Sequence, residues 1–204
     1  MKTYREILAD YIPEKAIPIA LKWLENSNVQ LRITKSRSSK LGDYRPPVLK
    51  KYHRISVNHD LNKFHFLITL VHEYAHLKNW EQHQRNVKPH GAEWQKAFKL
   101  YMQPFLEEDI FPDELKGIVL LYLNNPNSSS MSTKFIRKLR EYDKGKDYLT
   151  LEELPFNSLF RIYNGIVFEK IEKLKKRYKC RRTDNNRIYL VSPIIQVIPV
   201  SRNV

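Results

Sequence analysis

The chain has 204 residues, 36 Lys+Arg against 22 Asp+Glu, and a formal net charge of +14. A hydrophobic content of 42% excludes wholesale disorder, and only five glycines exclude collagen-like or Gly/Ser-linker architecture. The single cysteine, Cys180, excludes a disulfide framework and any Cys-rich zinc module.

Taken in chain order, Pro13 to Asn26 carries a helical stripe of Ile17, Ala20, Leu21 and Leu24, with a start at Pro18 as the alternative because an interior proline costs a hydrogen bond. Val29, Leu31 and Ile33 alternate with polar residues, which predicts a half-buried strand. Lys35 to Pro47 reads as a basic loop, with Gly42-Asp43 and Pro46-Pro47 as turn chemistry, and Tyr52 to Asn58 as a second strand. Asp60 is the expected cap of a long helix running from Leu61 to about Gln84. His90-Gly91 breaks the run before helices over Ala92–Phe105 and Pro112–Leu123. Asn124 to Ser132 reads as a linker and Thr133 to Tyr142 as a short basic helix. Five short strands follow, with Asn164-Gly165 a hairpin signal and Asp184-Asn185-Asn186 a second turn. The best apolar run, Ile118 to Leu123, falls far short of the ~18 residues of a membrane span. No apolar signal segment opens the chain, so a cytoplasmic protein with no membrane partner is expected.

The chemistry is concentrated in His72-Glu73-Tyr74-Ala75-His76, an HExxH motif. Residues i and i+4 of a helix share one face with a rise of ~6 Å, so the two imidazoles can reach one ion at ~2.0–2.1 Å. Glu73 sits one residue round, able to reach a metal-activated water without ligating the metal, whereas Tyr74 faces away. A catalytic zinc needs a third protein ligand and an open fourth position. His83 stands roughly 10 Å further along the same helix than His76 and cannot join without a helix break. His90 is better placed, because the polar stretch Glu81 to Pro89 can reverse the chain and Gly91 permits a tight turn. Glu93 is the alternative third ligand. Trp94 is expected in the core, and His53, His59, His65 and His83 on surfaces or strand faces. Cys180 is read as inert despite its basic neighbours.

At these residues the sequence resembles the SprT-like zinc metallopeptidases, which include bacterial SprT proteins and the Spartan-type proteases that cleave proteins crosslinked to DNA. The resemblance rests on HEYAH at 72–76 with His90-Gly91-x-x-Trp94 downstream, and on the strand-loop-strand before the helix. It implies one catalytic Zn²⁺ held by His72, His76 and His90, with Glu73 as the catalytic acid/base. It also implies a protein or peptide as substrate. Many members carry a Cys-rich zinc ribbon, which one cysteine cannot build. The expected fold class is α+β: a zincin-like metallopeptidase core of helices and a small sheet over residues 1–125, a linker and short basic helix over 126–148, and a small basic antiparallel β extension over 149–204.

Charge supplies a second expectation. Residues 1–50 are net +5, residues 51–130 neutral and residues 131–204 net +9. Lys175, Lys176, Arg177, Lys179, Arg181 and Arg182 interleave with Tyr178, as a phosphate-tracking, base-stacking surface would, and the first basic loop adds Arg32, Lys35, Arg37, Lys40 and Arg45. DNA is therefore a second expected partner. The alternative function is a nucleic-acid-binding protein with a structural or vestigial zinc site, and the plainest alternative for the charge is a solvated basic face.

Overall fold

The structure, a computed structural model, describes residues 3–37, 40–48, 50–126, 129–143, 145 and 149–201. It is α+β and divides into two compact units, Met1–Lys144 and Gly145–Val204.

The first unit opens with a helix that hydropathy alone did not predict, α1 (Tyr4–Tyr11). Its signal lies in Thr3-x-x-Glu6: Thr3 Oγ1 accepts from the Glu6 amide and the Glu6 carboxylate accepts from the Thr3 amide, a reciprocal capping box. After a single 3₁₀ turn comes α2 (Ile17–Asn26), with Pro18 in its first turn, where the missing N–H costs nothing. Three strands follow: β1 (Val29–Thr34), β2 (Gly42–Arg45) and β3 (His53–Asn58). They form one sheet in the order β1-β3-β2, with β1 parallel and β2 antiparallel to β3. β2 corrects the loop expected over 35–47. Gly42-Asp43 is strand rather than turn, and the reason lies in the packing of Gly42 described below.

The long helix α3 (Lys63–His83) is capped by Asn62, not Asp60: the Asn62 side chain accepts from the His65 amide at 2.9 Å and donates to the Leu139 carbonyl at 2.8 Å. α3 is the axis of the core, burying Phe66, Leu67, Leu70, Val71, Tyr74 and Leu77. Ile55 and Val57 of β3 share that core. α4 (Ala92–Glu107), α5 (Asp113–Asn124) and α6 (Ser129–Arg140) add Phe98, Met102, Val119, Phe135 and Leu139 to it. The segment expected as linker and helix over 126–148 is therefore not a separate piece. α6 is packed into the first unit, while residues 127, 128, 144 and 146–148 lie outside the described residues. No helix among the described residues is long and apolar enough to cross a membrane.

The second unit is a six-stranded antiparallel sheet, β4-β9-β5-β6-β7-β8. Its strands are β4 (Leu149–Thr150), β5 (Leu159–Arg161), β6 (Val167–Lys173), β7 (Tyr178–Arg182), β8 (Ile188–Val191) and β9 (Gln196–Val200). The two-residue β4 is an addition to the five strands expected. Gly165 in the β5–β6 hairpin has φ +83, the left-handed region that its turn requires. A small core of Leu151, Leu154, Phe160, Phe168, Tyr178, Cys180 and Val197 holds the unit together. Lys170 enters this core at 2% exposure and donates to the carbonyls of Leu151 at 2.7 Å, Glu152 at 3.4 Å and Leu154 at 2.5 Å, which satisfies its ammonium.

Candidate active site

α3 carries His72 and His76 one turn apart, and the α3–α4 connection returns His90 to them. His90 Nε2 stands 3.1 Å from His72 Nε2 and 2.9 Å from His76 Nε2. The chain turns because His90 itself takes the left-handed conformation, φ 57, while Gly91 has an ordinary φ of −68. The expected reason for Gly91 therefore needs correction: it supplies space, since a Cβ there would stand 3.0 Å from the Lys88 carbonyl oxygen. Gly91 is the N-cap residue of α4, so Trp94 falls in the first turn.

Trp94 is buried as expected, and its ring also floors the cluster. Its centroid lies 4.6, 5.2 and 4.5 Å from those of His72, His76 and His90. Phe98 stacks behind it at 5.0 Å. Glu93 does not join the imidazoles; it lines a different cavity with Lys78, Glu81, Gln82 and His83. Geometry thus separates the two candidates for a third ligand. Tyr74 faces away, stacked on Trp23 at 4.4 Å with its hydroxyl 3.0 Å from Ser27 Oγ.

Glu73 is buried at 7% exposure and packs against β2. The Tyr44 backbone N–H donates to its carboxylate. A Cβ on Gly42 would lie 2.5 Å from Glu73 Oε1 and 2.8 Å from Thr69 Cγ2. Gly42 is thus a close-approach glycine: only a residue without a side chain lets the strand lie on the carboxylate. Burial, then the neighbouring Asp43, pushes the Glu73 carboxyl up to about 8, against the opposing pull of Arg37, the Tyr44 amide and Lys40. Burial and the mutual approach of the rings depress the histidines, His72 to about 3 and His76 to about 4. Burial also lowers His90. All three imidazoles are therefore neutral at pH 7, the form that ligates a metal.

The cluster opens on a cavity of about 540 Å³. Its polar wall is β2 with Glu73, and its apolar wall is Ile68, Phe98, Tyr122, Phe135 and Ile136, the last three from α5 and α6. His65 also lines it, which corrects its reading as a surface or strand-face histidine. The available signal was its place seven residues, two helical turns, before His72. His53 is a buried strand-face residue, with Nδ1 2.8 Å from the Tyr44 hydroxyl.

Residues 16–110 match the model of the SprT-like family. This segment belongs to the SprT-like family. The family is associated with zinc metallopeptidase-like proteins. No curated protein and no solved structure matches the chain with significance. The matched segment holds the sheet, α3, α4 and the three histidines, and it ends before α5 and α6. The apolar wall of the cavity is thus largely supplied by elements beyond the family core.

The donor set of His72, His76 and His90 fits zinc. Three neutral imidazoles present one nitrogen each, all within 4.8 Å of one another, and one side of the cluster is open to the cavity.

The tail residues expected on a nucleic-acid surface lie in the second unit. Lys175, Lys176 and Arg177 are exposed in the β6–β7 turn, and Lys179, Arg181 and Arg182 are on β7. Lys179 pairs with Glu172 at 2.9 Å, Arg181 with Glu169 at 3.9 Å and Arg182 with Asp184 at 2.6 Å. Tyr178 is buried at 5% exposure beneath the Lys170 ammonium, 4.1 Å from its ring centroid, so it is not offered to a base. Its place between cations in the sequence reflects strand alternation, which sends Tyr178 and Cys180 inward and Lys179 and Arg181 outward. Burial raises the Cys180 thiol to about 11, in line with an inert cysteine.

Proposed function

We propose that the chain is a zinc-dependent endopeptidase of SprT-like type with a zincin-like core, acting in the cytoplasm on protein substrates, DNA-associated or DNA-crosslinked proteins among them. The observation that carries this reading is a three-imidazole cluster open to a cavity, with one buried carboxylate on its rim. Structural zinc sites are closed by four protein ligands, whereas an open position beside a carboxylate is the arrangement of a hydrolytic site. This favours catalysis over a structural or vestigial zinc.

His72, His76 and His90 would hold the ion through Nε2. When bound, zinc supplies Lewis acidity to a hydrolytic water and to the scissile carbonyl. Burial alone holds Glu73 protonated, and a dication bound beside it would favour the ionised form; the carboxylate then takes a proton from the attacking water and returns it to the departing amine. β2 fixes that carboxylate through the Tyr44 amide, and the absence of a side chain at Gly42 leaves room for it. Ile68, Phe98, Tyr122, Phe135 and Ile136 keep the opposite wall apolar and limit water.

Zinc content and casein cleavage, measured together on the parent and on His90→Ala, test the reading. The parent is expected to hold one zinc and cleave, and the variant to lose both. A zinc-loaded parent that cleaves no protein substrate contradicts it.

A further inference from the structure

The sheet of the first unit has two faces. Val29, Leu31, Ile55 and Val57 point into the core, so Arg32, Thr34, Arg54 and Ser56 point the other way. Asp43 and Arg45 of β2 register with Ser56 and Arg54 and share that outer face. There Arg32, Arg37, Arg45 and Arg54 line a cavity of about 210 Å³, together with the Thr34 and Ser56 hydroxyls and a single carboxylate, Asp43.

The cations here are under-compensated. Asp43 is already held by Lys40 at 2.7 Å and by Arg45 at 2.8 Å. Arg37 spends Nε on Asn58 at 2.8 Å and Nη1 on Ser56 at 3.1 Å, both neutral groups. Its Nη2, and Nε of Arg54, are buried with no hydrogen-bond partner among the described residues. Arg45 and Arg54 stand directly opposite each other across β2 and β3. A like-charge pair in that register is destabilising, and a buried donor without an acceptor costs about 1–3 kcal/mol. Both costs vanish when an oxyanion enters the cavity.

We propose that this arginine-lined face binds the phosphodiester backbone of a nucleic acid. Guanidinium forks match phosphate geometry, and the Ser56 hydroxyl, which accepts from Arg37, keeps its own proton as a further donor. Four arginines against one paired carboxylate exceed what one phosphate group neutralises, so the fitting ligand is a polyanion. No aromatic side chain lines the cavity, so binding reads the backbone and is independent of base sequence.

The test is fluorescence anisotropy of the full zinc-loaded chain with labelled oligothymidylate and a mixed-sequence strand, each of about 20 nucleotides, from about 50 to 200 mM salt. Both strands are expected to bind alike. Arg32→Gln/Arg54→Gln should weaken binding about tenfold at the low-salt end and flatten the log–log salt slope by roughly 1.4, about 0.7 per lost phosphate contact. Lys175→Ala/Lys176→Ala in the tail should retain most of the affinity. Arg32→Gln alone, at an exposed position, should lower the slope by about half as much and guards against a folding defect in the double variant. The proposal is overturned by parent-like affinity and slope in both arginine variants, or by absence of binding. Displacement by inorganic phosphate at constant ionic strength, which marks a free-phosphate site, also overturns it, as does tighter binding of polyglutamate. No turnover is read, so failure here leaves the peptidase proposal standing.

Discussion

Two sheets in this molecule carry exposed basic residues, and they treat them in opposite ways. In the six-stranded sheet the register sets Glu172 opposite Lys179 and Glu169 opposite Arg181, so carboxylates answer the cations across the strands. In the three-stranded sheet the register sets Arg45 opposite Arg54, and Arg32 faces Ser56. By unit the net charge is +8 over residues 1–144 and +6 over residues 145–204, and the sheets differ in register rather than in count: Lys179 and Arg181 of β7 face carboxylates, whereas Arg54 faces Arg45. A polyanion is attracted by uncompensated charge, so pairing rather than count separates a solvated surface from a binding face. The inner side of the same small sheet also differs from its counterpart: β2 lies on Glu73, whereas the tail sheet covers the small core of its own unit.

The strongest perturbation that the contrast predicts is in the tail. Lys170→Met leaves the Leu151 and Leu154 carbonyls without their donor, at a cost of about 3 kcal/mol. Hydrogen exchange should register the loss in residues 149–201 while zinc content stays at the parent value. A comparable cost distributed over the first unit would erase the distinction. Next is Gly42→Ala, whose Cβ would push directly on Glu73. A shift of the carboxylate by a few tenths of an ångström to an ångström should lower kcat by up to about 100-fold with zinc retained. Parent-like kcat would mean that β2 does not position Glu73.

Acid should also discriminate between the units, because all seven histidines lie between His53 and His90. Burial depresses His65 to about 4, below its unfolded value of about 6.5. The unfolded chain then binds the proton more tightly, so the contribution of His65 is complete above pH 6.5 and fades as pH falls towards 4. At pH 5 that loss is about 2 kcal/mol, measurable by denaturant unfolding; His72 and His76 are depressed likewise, so His65→Gln should remove its own share of the acid difference and leave theirs. The smallest effect is Ser56→Glu, which gives the arginine face the carboxylate that the tail already has. It should stabilise the first unit by about 0.2–1 kcal/mol and weaken oligonucleotide binding. Destabilisation with unchanged binding would show that the arginines are not mutually repelling.

Much of this was legible before the structure. Period-2 and period-3.6 patterns mark β1, β3, α4 and α5, because each buries one face in a core, while α3 is marked by an apolar run because Phe66 to Val71 are all buried. HExxH with a downstream His-Gly marks the three imidazoles, because helical spacing fixes two of them and a chain reversal can deliver only certain residues as the third. Less legible was β2, since Gly42 and Asp43 are turn residues by propensity, and the glycine is there for contact with Glu73, thirty residues away in sequence. α1 escaped because its signal is a capping pair rather than an apolar stripe. The difference between Tyr178 and its cationic neighbours depended on strand alternation in a segment whose pairing is long-range. Compensation of charge is a property of register, and register is not written in composition.

The central claim is that Glu73, held by β2 beside three metal-competent histidines, performs the proton transfers of peptide hydrolysis. Glu73→Gln tests it most directly, because the amide keeps the shape and cannot take the proton. The variant is expected to bind one zinc per chain and to lose about 10²- to 10⁴-fold in casein turnover. One zinc per chain with parent-like turnover would contradict the claim.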